Sequence, residues 1–573
     1  MGSKLNWLLI LVALGMSGCE SSEEPKVFTV ADTVYVNGSV YTMDESQPWA
    51  GALAIKDGQI VAVGDEQSVA ALTDESTERV DLGGRFVMPG IIDGHAHPAW
   101  GGLLEVYTCV FQATALPAEV LETISGCVEG AEQSEEWIQG GFWGAEFFNQ
   151  FQIDSPRLWL DEVSGDKAIA LKDDSGHNYW VNSRGLELLG IDEDTGAPPG
   201  AIYGRDSDGK LNGILYEAFL SVADKLPTWT AEHYKAGIHY AVANAHSYGV
   251  TGWKDASSTE TETLAYFELD QASELKVNVA TCLIKLHEDA SLISVSDYVR
   301  MREIYASPRV RTSFAKIFLD GIPTTSRTAA MAEPYLPVEE GAPENYGPIH
   351  VPADKLTNAM MQLDALGFTV KIHAAGDRSV HEALNAIEAA RQANGSDLRH
   401  ELAHAGFIVP EDVARFAELN AVADLSPHLW FPSPIITSIR KALGRRGEKY
   451  WPNRSLIDAG APLSMGSDWP SVAPDMNPWL GLEALVTRAD PAGVYPGTSW
   501  PEEAITVEEG LRIMTMGGAK AIRLEDQVGS LEVGKSADFA VLDTNPLEVS
   551  PDQISELKVL TTVFAGQVVY QAN

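Results

Sequence analysis

Positive charge is scarce in this 573-residue chain, which has 40 Lys and Arg against 81 Asp and Glu. A nucleic-acid-binding surface needs clustered Lys and Arg, so we expect no nucleic-acid partner. The net charge of −41 is spread along the chain, which is typical of a soluble, self-repelling surface.

Cysteine is also scarce, with four residues and no C-x-x-C pair, which argues against a cysteine-ligated zinc site. No G-x-S-x-G motif stands near a triad and no cysteine lies beside a histidine motif, so covalent catalysis is disfavoured. Cys109 and Cys127 would pair in an exported protein, and two buried free thiols are an equally good interpretation.

The apolar run near the N-terminus, Leu5 to Met16, is too short for a membrane-spanning helix. It follows a lysine and ends in M-S-G-C, so residues 1–18 are predicted to be a signal peptide. The end of this run resembles a bacterial lipoprotein box, which would make Cys19 the lipidated first residue; a plain signal peptide is the alternative. Residues 19–26 would be a polar tether. We expect export from a bacterial cytoplasm and a lipid anchor in the periplasm or cell envelope.

Both ends of the chain read as short strands and tight turns. Asn37-Gly38 and Asp57-Gly58 each stand between strand-like segments and predict hairpins. Similar segments return near the C-terminus, so residues 27–86 and 528–573 are predicted to build one small β-sandwich. Strand-like and helical runs alternate between the ends, which indicates parallel β/α units. In the clearest unit, a strand precedes a helix that Asp377 is predicted to cap and Gly395 to end.

The stretch V-M-P-G-I-I-D-G-H-A-H, from Val87 to His97, ends in two histidines one residue apart. Residues two apart on a strand point to the same face, so His95 and His97 would aim at one point beyond the strand. Imidazole nitrogens in that arrangement hold zinc or another transition metal. The H-x-H motif alone also fits two surface histidines in a loop.

Four more residues stand in or at the ends of strand-like runs: Lys316 in K-I-F-L-D-G, His373 in V-K-I-H-A-A-G-D, His404 in E-L-A-H-A-G and Asp468 in M-G-S-D-W-P. A lysine in an apolar run is costly unless it is paired or neutral. A neutral lysine can react with carbon dioxide to give a carbamate, and a snorkelling or ion-paired lysine is the alternative. The two histidines fit metal ligands or satisfied core residues, and Asp468 fits a ligand or a turn residue.

Together these motifs resemble the metal-dependent amidohydrolase superfamily, in the branch (amidohydrolase family 3) that contains N-substituted formamide deformylase. The resemblance implies a (β/α)8 barrel over residues 87–527, with its active site at the C-terminal ends of the strands. It also implies that residues 100–235 are an insertion forming a lid or subdomain. V-G-S-L-E-V-G-K-S-A-D-F-A-V-L-D, from Val528 to Asp543, is similar to the C-terminal signature of the family.

The resemblance further implies a ligand set for two zinc ions, with a carbamate on Lys316 as a ligand of both: His95, His97, Lys316, His373, His404 and Asp468. His404 is preferred to His400 because A-H-A keeps the family's alanine, although Ala403 replaces the usual glutamate. Asp468 would also be catalytic, taking a proton from the attacking water and passing it to the leaving nitrogen.

The implied reaction is hydrolysis of an amide-type C–N bond, in a formamide or related small amide, by a metal-bound hydroxide. An ester, lactone or carbamate hydrolase, or a deaminase with one metal and no bridging lysine, is the alternative on the same barrel. A non-enzymatic binding lipoprotein is a third hypothesis. The substrate pocket is predicted to include Trp143, His177, Asp320, Arg327 and His428, each of which could instead be structural. Beyond a small amide substrate we expect no partner except a possible second copy of the chain.

Overall fold

The computed structural model describes residues 30–572 apart from 112–114, 132, 134–135, 145–146, 174–177, 199–200, 217, 219–221, 223–224, 285–293 and 472. The predicted signal peptide, Cys19, the tether and the pocket candidate His177 lie outside the described residues. Within the described residues, no helix combines the length and apolarity that crossing a bilayer requires.

An eight-stranded parallel barrel forms the centre of the chain, as predicted. Neighbouring strands pair in parallel register from the first strand to the eighth, and the first and eighth approach each other at one end, where the Asp468 N–H donates to the His95 carbonyl at 2.8 Å. The barrel is therefore nearly closed. Barrel strands 1 to 8, in chain order, are Ile91–Ala96, Val250–Ser258, Asn278–Leu283, Val310–Phe318, Thr369–Ala374, Glu401–His404, Val422–Leu425 and Leu463–Met465.

Helices surround this barrel. The helix Asp377–Asn394 buries Val380, Leu384 and Ile387 along one face and ends at Gly395, whose φ of 65° suits glycine. Its N-cap is Gly376, so the predicted cap at Asp377 is one residue late. The other helices between and after the strands are Pro98–Tyr107, Ala231–Ser247, Glu260–Gln271, Val295–Tyr305, Ala353–Ala365, Pro410–Glu418, Pro434–Leu443, Asn453–Asp458, Pro478–Thr487, Val507–Arg512 and Gly518–Ala521. Shorter 3-10 segments are Pro427–Leu429, Gly444–Glu448, Pro501–Glu503 and Pro551–Glu556, and Ile513–Gly517 is a π-helical turn.

Both chain ends contribute to one six-stranded sheet. In this sheet Phe86–Pro89 pairs antiparallel with Phe539–Leu542, which joins the two ends directly. The strands, in spatial order, are Gln567–Gln571, Val559–Phe564, Phe539–Leu542, Phe86–Pro89, Ser39–Tyr41 and Trp49–Ala50. A four-stranded sheet beside it has the order Gln59–Gly64, Ala52–Lys56, Thr33–Val36 and Glu78–Asp81, and the short helix Glu66–Ala70 follows its first hairpin.

The two predicted hairpin turns have different outcomes. Asp57 and Gly58, with φ of 50° and 79°, join antiparallel strands as predicted. The hairpin predicted at Asn37-Gly38 is wrong, because the flanking strands Thr33–Val36 and Ser39–Tyr41 belong to different sheets. There Gly38 donates to the Gly51 carbonyl, so the turn carries the chain from one sheet to the next.

Residues 109–216 contain a third sheet of six strands, inserted between barrel strands 1 and 2. Its spatial order is Ile202–Arg205, Leu211–Tyr216, Tyr179–Val181, Ala168–Asp173, Trp137–Trp143 and Cys109–Val110. The accompanying helices are Pro117–Gly130, Phe147–Gln150, Pro156–Asp161 and Ser183–Leu189. Cys109 and Cys127 form a disulfide in this region, and Cys282 is a buried free thiol.

Candidate metal centre

Three predicted ligands meet at the mouth of the barrel. His95 lies in barrel strand 1, His97 begins the helix that follows, and Asp468 comes after strand 8. One Asp468 oxygen, Oδ1, is 3.5 Å from His95 Nε2 and 3.4 Å from His97 Nε2. All three ligand atoms lie within 4.8 Å of one another.

This spacing suits a metal ion. Tetrahedral ligands placed 2.0–2.1 Å from a zinc ion are about 3.3 Å from each other, close to the two distances that Asp468 makes. His95 Nε2 is buried and has no hydrogen-bond partner among the described residues. An unpaired buried nitrogen is costly unless a ligand satisfies it. The three side chains therefore fit a bound cation.

Two further histidines extend the cluster. The His404 ring centroid is 4.9 Å from that of His95 and 4.7 Å from that of His373. His373 Nε2–H donates to the Gly321 carbonyl at 3.1 Å, and His404 Nδ1 is 3.1 Å from the hydroxyl of Ser426. Because Nε2 of His373 carries the proton, its Nδ1 keeps the lone pair that a metal needs.

Burial keeps these imidazoles neutral. It lowers the pKa of His373 to about 4, and Lys316 adds to the effect. The pKa of His95 and that of His404 are both well below the ordinary value, again mainly because both rings are buried. Neutral imidazole is the form that binds metals, so the ligands are prepared for a cation without losing protons.

Lys316 lies in barrel strand 4 and is almost fully buried. Burial, together with the like charge of Lys371, its partner in the register of strands 4 and 5, lowers the pKa of Lys316 to about 8. Its Nζ lies 4.8 Å from the Phe318 ring centroid, and no described residue forms an ion pair with it. A lysine in these surroundings has an appreciable neutral fraction near pH 8.

Several buried charged residues beside the cluster were not predicted. Asp93, two residues before His95, accepts from the His95 N–H at 3.0 Å and from the Ser467 hydroxyl at 2.7 Å, so it joins strands 1 and 8. Burial raises its pKa to about 7. Four more lie beneath the metal centre: Lys254, Lys371, Glu401 and Asp424. The sequence feature that could have revealed these four is the presence of a charged residue within each of four largely apolar strands.

His400, which the sequence offered as a rival to His404, lies elsewhere. Its Nδ1 accepts from the Val370 N–H at 3.0 Å, and its Nε2 is 2.9 Å from Asp364. Both ring nitrogens are therefore used in structural contacts. His404 is the histidine of this pair whose ring packs against those of His95 and His373, at tilted and edge-on angles.

Two of the predicted pocket residues make hydrogen bonds to neighbouring parts of the fold. Trp143 is buried in the apolar core of the insertion, where its indole donates to the Leu171 carbonyl at 3.1 Å. The Asp320 carboxylate accepts from the backbone N–H groups of Ala330, Ala375 and Gly376 and from the Ser379 hydroxyl. These four hydrogen bonds hold the loops after strands 4 and 5 together, and Asp320 Oδ1 also lies 3.7 Å from His373 Nε2.

Arg327 and His428, the other two described pocket candidates, differ in whether their polar atoms all have hydrogen-bond partners. The guanidinium of Arg327 donates to the carbonyls of Thr325 and Leu336, within its own loop. His428 Nε2–H donates to the Asn477 carbonyl at 3.0 Å, while its buried Nδ1 has no partner among the described residues. His428 thus keeps one acceptor free, as a ligand-binding residue would.

Comparison with known proteins identifies the family. A model of the Amidohydrolase family matches residues 78–570. The chain belongs to this family. The members of this family are metal-dependent hydrolases that act on C–N bonds.

Two relatives are similar to this amidohydrolase over nearly the whole length of both chains. The chain is 29% identical to the Arabidopsis thaliana protein LONG AFTER FAR-RED 3 over 565 residues, covering 95% of this chain and 93% of the relative. It is 28% identical to the N-substituted formamide deformylase of Arthrobacter pascens over 556 residues, covering 94% and 98%.

Solved structures share the fold. An uncharacterized metal-dependent hydrolase from Pyrococcus furiosus has a TM-score of 0.70 at 24% identity, covering 90% of this chain and all of that one. The atrazine chlorohydrolase TrzN of Arthrobacter aurescens, complexed with zinc, has a TM-score of 0.52 at 14% identity, covering 94% and 95%. At such identities the likeness establishes the barrel fold of this amidohydrolase and nothing finer.

Proposed function

We propose that this amidohydrolase cleaves the C–N bond of a small organic amide, a formamide or a close analogue, by direct attack of water. The main observation in support is that Asp468 Oδ1 lies 3.4 Å from His97 Nε2 and 3.5 Å from His95 Nε2. The likeness to N-substituted formamide deformylase supports the choice of substrate class.

The proposed cofactor is two zinc ions. His95, His97 and Asp468 would hold one, and His373 and His404 would hold the other, with Lys316 contributing as a carbamate. Zinc would polarise the amide carbonyl and lower the pKa of a bound water. To form the carbamate, the neutral Lys316 amine makes a C–N bond to carbon dioxide and releases one proton. The low pKa of buried Lys316 supports this step.

Asp468 is the proposed catalytic residue. Its backbone is fixed by the hydrogen bond from its N–H to the His95 carbonyl, and its side chain is almost fully buried. A carboxylate held there can accept a proton from the attacking water at one oxygen and deliver it to the leaving nitrogen. No covalent acyl-enzyme is required, which agrees with the lack of a nucleophilic motif in the sequence.

The test is a product assay on zinc-loaded protein with a panel of N-substituted formamides, matched formate esters and small aminated heterocycles. Formate and amine from the formamides, absent after zinc removal and restored by zinc, would support the proposal. Ester turnover alone would favour the ester-hydrolase alternative. Ammonia release with one zinc per chain would favour a deaminase, for which the His95, His97 and Asp468 cluster already supplies a one-metal site.

The proposed location is the periplasmic side of a bacterial envelope, through a lipid on Cys19. The M-S-G-C sequence supports it, and so does the Cys109–Cys127 disulfide, since disulfides persist in oxidising compartments. Expression in a bacterial host should give a membrane-associated chain whose Cys19→Ser variant is not lipidated. Recovery of an unprocessed chain from the cytoplasm would contradict this location.

A further inference from the structure

The interior of the barrel beneath the metal centre contains a layer of charged side chains. Barrel interiors are usually filled by branched apolar residues. Here four side chains with balanced charge are fully buried: Lys254 from strand 2, Lys371 from strand 5, Glu401 from strand 6 and Asp424 from strand 7. Buried ion pairs add little net stability over apolar packing, so stability alone does not explain this layer.

One end of the layer contacts a metal ligand. The Asp424 carboxylate lies 2.7 Å from His95 Nδ1, and its other oxygen accepts from the Ser464 hydroxyl at 2.9 Å. Lys371 forms an ion pair with the same Asp424 oxygen that His95 contacts. The Asp424 oxygen that the Lys371 ammonium contacts is a hydrogen-bond acceptor, so the proton between this oxygen and His95 resides on His95 Nδ1.

Lys371 also controls the backbone beside the ligand. Its Nζ donates to the carbonyl of Gly94, the residue before His95, at 3.0 Å, and is 2.9 Å from Glu401. The ammonium therefore contacts the ring partner of His95 and the main chain that carries it. On the far side of Glu401, Lys254 pairs with that carboxylate and donates to the Ala521 carbonyl at 2.6 Å.

We propose that Asp424, held by Lys371, is a positioning residue for the metal centre: its carboxylate fixes His95 in the tautomer whose Nε2 is free to bind the metal. With Nδ1 protonated, the unpartnered Nε2 faces Asp468 and His97. If this contact were lost, His95 could protonate Nε2 instead and cease to be a ligand. The inference deepens the proposed function and rests on its metal centre.

The test compares zinc affinity, measured by competition with a chromophoric chelator, in the parent and three variants. Asp424→Asn replaces the carboxylate beside His95 with an amide, which can donate as well as accept and so no longer fixes the tautomer, and it also loses the pair with Lys371. Lys371→Met removes the ammonium. Each should bind zinc about 10–100-fold more weakly than the parent, as expected when a carboxylate behind a metal-binding histidine is lost. Lys254→Met is the matched control, because it breaks an equally buried ion pair that does not reach His95.

Lys254→Met should keep zinc affinity within about threefold of the parent even if it unfolds at lower temperature. The visible spectrum of cobalt-substituted protein is a second readout, since it reports ligand geometry and does not depend on turnover. Asp424→Asn should change the cobalt spectrum, and Lys254→Met should retain that of the parent.

Ser464→Ala covers the case in which the charge variants do not fold, because it removes a hydrogen bond to Asp424 without removing a charge. It should weaken zinc binding by a few-fold. Parent-like zinc affinity in Asp424→Asn would overturn the inference, and so would equal losses of zinc affinity in Asp424→Asn and Lys254→Met. If Ser464→Ala alone folds, parent-like zinc affinity in that variant would overturn it. A parent that binds no zinc would instead refute the proposed function.

Discussion

The indole N–H of Trp451 donates a 2.7 Å hydrogen bond to the backbone carbonyl of His404. His404 and the next residue, Ala405, both have positive φ, 68° and 39°, a conformation that side-chain-bearing residues rarely adopt. The backbone N–H of Trp451 donates to the Gly406 carbonyl, also at 2.7 Å. Trp451 thus holds both sides of the strained turn that aims the His404 ring at the metal centre.

Trp451→Phe should weaken the second metal site. It leaves the buried carbonyl of His404 without its donor, at a cost of about 1–3 kcal/mol in unfolding free energy, and frees the turn to relax. We expect lower zinc content at limiting zinc together with a lower unfolding temperature. Trp430→Phe is the matched control, because Trp430 packs against Trp451 at 5.0 Å but its own indole nitrogen has no partner among the described residues. Equal zinc loss in both variants would contradict a specific role for the indole N–H of Trp451.

Lys316→Ala should reduce the metal content from about two zinc ions per chain to about one, because the proposed carbamate is a ligand in a two-metal site. The measurement is elemental analysis of protein purified without chelator. Lys316→Arg serves as the control, since a guanidinium keeps the positive charge and cannot be carboxylated. A short carboxylic acid should partly restore zinc binding to the alanine variant and not to the arginine variant. One zinc ion in the parent, unaffected by either substitution, would refute the carbamate.

The barrel and the strand-end positions of the candidate ligands could be predicted because each strand carries an apolar run followed by a chemically distinctive residue. Strand order in a parallel barrel follows chain order, so motifs far apart in sequence were expected at one mouth. The hairpin at Asn37-Gly38 failed because local turn chemistry does not specify which sheet the next strand joins. Asp424 and Lys371 were missed because a single charge within an apolar strand does not reveal its partner across the barrel.

Asp468→Asn should separate proton transfer from metal binding. The amide keeps the shape and one oxygen of the side chain but cannot accept a proton, so kcat should fall by about 10²–10⁴-fold. Zinc affinity should fall much less, because His95 and His97 remain. Steady-state kinetics on the best amide substrate and a chelator competition on the same sample give both quantities. A kcat loss fully explained by lost zinc would remove the proton-transfer role.

His246 should make the free energy of unfolding depend on pH. Burial lowers its pKa to about 4, and its Nε2–H donates to the Lys276 carbonyl at 2.9 Å. The unfolded chain binds a proton at this residue below about pH 6.5, whereas the folded chain does not until about pH 4, so the stabilisation is complete above pH 6.5 and is lost as the pH falls towards 4. Between pH 7 and pH 5 the parent should lose about 2 kcal/mol more than His246→Gln.

Urea unfolding at pH 7 and pH 5, at one zinc concentration, measures this difference. The contributions of the other buried histidines to the pH dependence cancel in the comparison, because the parent and His246→Gln both contain them. His239, on the same helix Ala231–Ser247, has a side chain about half exposed and provides the matched substitution His239→Gln. That variant controls for the loss of an imidazole from the same helix, and the effect of His246→Gln is compared with it. If His246→Gln kept the pH dependence of the parent, the neutral, buried state assigned to His246 would be wrong, and the acid sensitivity of the fold would have to arise from other groups.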